Sequence, residues 1–171
     1  MLITLALIAL AACSPAEDEV GAVDLDSLTE TGGCADVTMY AANPEGSAIL
    51  WVQLSGSVLE DAYAEGVDSV VRSFVLGEDP DIEVSIDVGS NVAERACNDV
   101  MTEYVIDERW VAIEGTVAFE ATLTAEEAEP WNMPADATVT LTEVLLEEQD
   151  TGAQMLIGSL TIEAGVGWLP G

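Results

Sequence analysis

Asp81-Ile82-Glu83-Val84-Ser85-Ile86-Asp87-Val88 alternates without error, apolar on one face and polar on the other. A period of two is the side-chain repeat of a β-strand, because successive Cβ atoms leave opposite faces of the backbone. The stretch therefore predicts a half-buried strand, and its neighbours repeat the pattern. Val111, Ile113, Val117, Phe119, Ala121 and Leu123 share one face of a long strand, with Gly115 breaking the row as a bulge. Further strands are expected over 35–42, 47–55, 68–76, 137–147 and 153–165. Asn43-Pro44-Glu45-Gly46, Gly77-Glu78-Asp79-Pro80 and Asp150-Thr151-Gly152 separate them as turns.

Two stretches read as short helices. Asn91-Val92-Ala93-Glu94 has the form of a capping box, and Ala96, Cys97, Val100 and Met101 follow at helical spacing. Thr124-Ala125-Glu126-Glu127 opens a second turn, which Pro130 stops. Short strands with frequent turns predict a mostly β fold, an antiparallel β-sandwich (immunoglobulin-like or related), with a small β-barrel as the second choice.

Charge and missing residue types exclude many functions. The 171 residues include 33 acids but only three bases (Arg72, Arg95 and Arg109), with no Lys and no His, for a net charge of −30. Nucleic-acid backbones are excluded as partners, since Lys and Arg must neutralise their phosphates. Docking on anionic lipid head groups is disfavoured for the same reason. Without His or Lys there is no Ser-His-Asp triad, Ser-Lys dyad, Cys-His pair, pyridoxal Schiff base or His-ligated zinc. No Gly-rich phosphate loop or dinucleotide fingerprint occurs. Self-repulsion of this size opposes compaction, and about 1 M salt shortens the screening length to about 3 Å. Added salt or Ca²⁺ is expected to raise the melting temperature; a flat response in a thermal scan would contradict this reading.

Residues 2–12 are an apolar run of 11, too short for the roughly 20 residues of a membrane-spanning helix but suited to a signal peptide. No Lys or Arg precedes the run, which leaves the α-amine, or an earlier start, to supply the positive end. The run closes on Leu10-Ala11-Ala12-Cys13. This resembles the lipobox of bacterial lipoprotein precursors. The resemblance implies a diacylated thiol at Cys13, cleavage just before it, and acylation of the new amine. By that family's sorting behaviour, Ser14 implies the outer membrane, facing the periplasm or the surface. Several acyl chains meet the need for more than one anchor. The alternative is plain secretion, with Ala9-Leu10-Ala11 as a small-residue cleavage site.

The expected organisation is a signal peptide at 1–12, a lipid-anchor site and acidic tether at 13–33, and one β domain at 34–171. Residues 14–33 carry six acids and no periodicity, and a flexible chain of that length spans about 25 Å. If Cys13 takes lipid, Cys34 and Cys97 remain as an even pair in an oxidising compartment, either a disulfide or two buried thiols.

Carboxylates are the remaining chemistry. Asp79, Asp81 and Glu83 surround a turn and are weak candidates for Ca²⁺, whose ligands are hard oxygens; an EF-hand's Gly and closing Glu are missing. No other cofactor is implied. Asp150-Thr151-Gly152-Ala153 resembles the short motif of aspartic proteases, but Glu147-Glu148-Gln149 replace the apolar residues before it and no second copy exists. A polar hairpin turn is the reading adopted. Glycosidase chemistry needs two carboxyls about 5–10 Å apart, and pairs such as Glu60-Asp61 carry no signal among 33 acids. Trp51 and Trp110 fall in strand patterns and are expected to pack in the core, and Trp168 to pin the last strand. Trp131 is either a lid or an exposed anchor for a sugar or partner.

The whole pattern loosely resembles small acidic lipoproteins of unassigned function from Gram-negative genomes. The expected role is non-catalytic binding of an envelope protein or glycan. Ca²⁺-dependent adhesion and a carboxylate-based hydrolase are the alternatives.

Overall fold

The computed structural model describes residues 23–100, 102–125 and 132–168. Cys13, Met101, Glu126, Glu127, Glu129 and Trp131 lie outside them. The described residues are mostly β, about 60% strand, with one α-helix. The strands are β1 (Glu30–Cys34), β2 (Thr38–Ala42), β3 (Ala48–Leu54), β4 (Ser69–Val75), β5 (Ile82–Ser90), β6 (Val105–Leu123), β7 (Asn132–Glu148) and β8 (Gln154–Trp168), with helix α1 (Val58–Glu65) between β3 and β4. All eight belong to one antiparallel sheet in the order β1-β2-β3-β5-β6-β7-β8. The sheet curls into a half-barrel. β6 is long enough to carry β5 beside its first half and β4 beside its second.

The deciding alternation of β5 survives in three dimensions. Ile82, Val84 and Ile86 enter the main core with Met39, Leu50, Val52, Phe119, Val139 and Leu141. The opposite face is not solvated throughout, however: Ser85 and Asp87 are fully buried. Period two reports which residues share a face, but not what another segment lays over that face.

β6 keeps its expected inward row only from Val117 onward. Val117, Phe119 and Ala121 are buried, whereas Ile113 is 40% exposed and Trp110 takes the inward place instead of Val111. The cause lies in the register shifts between Ala112 and Thr116, which exchange the faces of the strand. Gly115 sits there at φ +128°, and a Cβ on it would meet Val144 Cα at 2.6 Å. Opposite, Glu143 also has positive φ, so both strands kink together.

Two boundaries need correction. The domain begins before residue 34, because β1 pairs with β2 from Glu30↔Ala42 to Cys34↔Thr38, and Leu28 is buried in the core. Thr31-Gly32-Gly33 hid this strand, since glycines leave no side-chain period to read. They are required by close approach: a Cβ on Gly33 would lie 2.7 Å from Val166 Cγ1. The helix expected from Asn91 is a single 3-10 turn, Val92–Arg95. Asn91 makes no side-chain cap, Ala96 is extended and Cys97 has φ +50°. The chain leaves the helix where Arg95 and Cys97 are tied to other strands.

Helix α1 was not expected. It buries only Leu59 and Ala62, spaced three apart, and ends on Gly66 in the left-handed region. Ser57 at its start makes no cap bond; Asp36, from the β1–β2 turn, accepts from Leu59 N at 2.9 Å instead. Burial raises the Asp36 carboxyl above its ordinary range, with Glu60 and Asp61 adding to the rise against the lowering pull of the Leu59 and Val58 amides. Tyr63 Oη donates to Pro134 O at 2.7 Å, which holds α1 against the start of β7.

Candidate functional site

Cys34, the last residue of β1, is joined to Cys97 by a disulfide with a Cα–Cα distance of 5.6 Å. The link holds segment 92–97 over the outer face of β2 and β3. Under it, Val92 packs on Ala42, Ile49 and Trp51, with Tyr40, Ala93, Ala96 and Ile106 around them. β3 is therefore buried on both faces, Leu50 and Val52 inward and Ile49 and Trp51 outward. Trp110 packs in the main core as expected, whereas Trp51 belongs to this second cluster.

Beside the covered patch lies a cleft of about 330 Å³. Its walls include Thr38, Trp51, Gln53, Ser85, Arg95 and Arg109, and Cys97 stands at the disulfide end. Strand register explains the gathering. Trp51 lies opposite Tyr40 and Ser85, and Asp87 opposite Arg109, so all share the outer face. Two of the protein's three arginines thus meet in one place.

Asp87 organises both. Arg95 Nη2 donates to Asp87 Oδ2 at 2.5 Å, and Arg109 Nη1 stands 3.8 Å from Asp87 Oδ1. Arg109 Nη2 also donates to Glu83 Oε1 at 3.2 Å. The Arg95 guanidinium lies 5.3 Å from the Trp51 ring centre and 4.9 Å from that of Tyr104, within cation–π range. Two buried polar atoms have no hydrogen-bond partner here: Asp87 Oδ1 and Trp51 Nε1. Leaving such an atom unpaired costs about 1–3 kcal/mol, and both are shut off from solvent.

The Ca²⁺ candidates are engaged separately. Asp79 Oδ2 accepts from Val75 N in its own turn, Asp81 Oδ1 from Ser55 Oγ at 3.4 Å, and Glu83 pairs with Arg109. Asp79 and Glu83 line one depression of about 780 Å³ on the far side of Arg109, without Asp81. Among the described residues no three acids converge to hold a metal ion.

Asp150-Thr151-Gly152 forms the turn joining β7 to β8. Glu148, itself buried, accepts from Thr151 Oγ1 at 2.6 Å, Thr151 N at 2.7 Å and Asp150 N at 3.1 Å. The Thr151 hydroxyl above all, then the turn amides, holds its carboxyl below the ordinary range despite opposing burial. A lowered folded-state value means the carboxylate stabilises the fold above its unfolded value, and this is lost as pH falls through the folded one. Glu148→Gln should therefore melt lower than the wild type at pH 7, with the gap narrowing in acid. An equal gap across an acid titration of melting temperature would contradict the assignment.

The sequence signalled neither the cleft nor Asp87. Arg95 and Arg109 come from different segments and meet only through strand pairing, and their only hint was scarcity: three bases among 33 acids. No protein-family model matches this chain, nor does any curated protein or any solved structure. No helix among the described residues is long and apolar enough to cross a membrane.

Proposed function

We propose that this chain is a non-catalytic binding module, anchored by lipid at Cys13 to the outer membrane, with the cleft beside Trp51 as its ligand site. The observation that carries the binding role is the gathering of Arg95, Arg109 and Trp51 around one cleft. The absence of His and Lys supports a role without catalysis. The anchor rests on Leu10-Ala11-Ala12-Cys13, and on Cys34 and Cys97 pairing with each other, which leaves Cys13 as the odd thiol.

The curled sheet we read as a small barrel rather than a two-layer sandwich. Support comes from its two ends, where Thr31 Oγ1 donates to Glu163 O at 3.1 Å and Gly167 N to Ala35 O at 2.7 Å.

Anchor and site are tested separately. A clickable palmitate analogue should label the wild-type chain in cells, and Cys13→Ser should abolish the label; an unlabelled wild type refutes the anchor. For binding, the purified full chain should retain material from an envelope digest that Arg109→Gln does not. Equal retention by both would refute the cleft as the site.

A further inference from the structure

We propose that the cleft takes a small hydroxylated carboxylate, either one uronate ring of a polysaccharide or a free hydroxy acid. The inference rests on the reading of this cleft as the ligand site. Its volume, about 330 Å³, is at the small end of ligand pockets, which suits a single ring or a short acid.

Polarity supplies the class. The wall is rich in donors. A guanidinium has five N–H groups, and Arg95 spends one on Asp87. Arg109 gives Nη2 to Glu83, whose side chain is half exposed at the rim, and keeps Nη1 beyond hydrogen-bond reach of Asp87. Trp51 Nε1 has a proton and nowhere to put it. A ligand that satisfies this wall must bring acceptors, and planar carboxylates match the guanidinium fork. In the lining both ionised groups are cations, so a carboxylate is the charge that fits. It would displace Glu83 from Arg109 without disturbing Asp87 behind.

Hydroxyls on the ligand follow from the rest of the wall. Thr38 and Ser85 offer groups that donate and accept, and Gln53 an amide that does both. A plain fatty acid would leave these groups dry.

The test titrates the full chain, purified in detergent at fixed ionic strength, with D-galacturonate, D-galactose and lactate. The readout is the Trp51 indole N–H resonance, assigned by its loss in Trp51→Phe. Galacturonate should shift it saturably, with galactose binding at least tenfold more weakly and Arg109→Gln losing at least tenfold in galacturonate affinity. Lactate matching galacturonate supports the class and makes the source a free acid; lactate failing supports a sugar unit. If galactose binds as well as galacturonate, the carboxylate inference falls and the site stands. If none of the three moves the Trp51 resonance, both fall.

Discussion

Removing the Cys34–Cys97 disulfide should lower the unfolding free energy by about 4 kcal/mol and the melting temperature by roughly 14 °C. The figure follows from loop closure: the bridge spans 63 residues, and its loss returns that conformational freedom to the unfolded chain. Against a usual total of about 5–15 kcal/mol this is a large share. The effect should also be local. The bridge ties segment 92–97 to β1, and that segment covers Ile49 and Trp51. In Cys34→Ser/Cys97→Ser, a soluble quencher should therefore reach Trp51 more easily, even at temperatures where the fold persists. Comparing each protein with its Trp51→Phe counterpart isolates that residue's emission. Urea unfolding that differs by less than about 1 kcal/mol, far below the loop-closure value, would contradict the account.

How far the sequence could be read depended on whether a residue's partner was local. The turns at 43–46, 77–80 and 150–152 were legible because their residues set their own backbone. So was the inward row of β5, where Ile82, Val84 and Ile86 reach the core by simple alternation. β1 was not, because Gly32 and Gly33 have no side chains to pattern. Helix α1 was missed because two buried residues, Leu59 and Ala62, make a stripe too short to announce a helix. Gly66 and the acids Glu60 and Asp61 in the first turn were the available signals. The expected helix after Asn91 failed for the opposite reason. Its local pattern was good, but Cys97 and Arg95 are held by partners 63 residues and 8 residues away in sequence. The cleft was illegible altogether, since strand pairing creates it and no pattern along the chain reports which strands pair.

Asp87→Ala should cost about 3–5 kcal/mol, because it strands Arg95 against Trp51 with its buried counter-ion gone. Asp87 is fully buried, and the Arg95 guanidinium is only 25% exposed on its side chain. The pair itself need not be a net gain over apolar packing, so the cost is expected to be conditional. Replacing both partners, as Asp87→Leu/Arg95→Met, should be markedly less destabilising than Asp87→Ala alone. Urea midpoints of the wild type, both single variants and the double variant give the coupling directly. Additive single effects would show that the two side chains do not act as a buried pair, and the cleft would lose its organising group.

Ligand is expected to meet this protein at Trp51. The most direct measurement follows the four tryptophan indole N–H resonances of the full chain as the small-molecule fraction of an envelope extract is added. The Trp51 resonance should move and saturate while that of Trp110, packed in the main core, holds, and Arg109→Gln should abolish the shift. A still Trp51 resonance while another responds, or an undiminished Trp51 shift in Arg109→Gln, would contradict it.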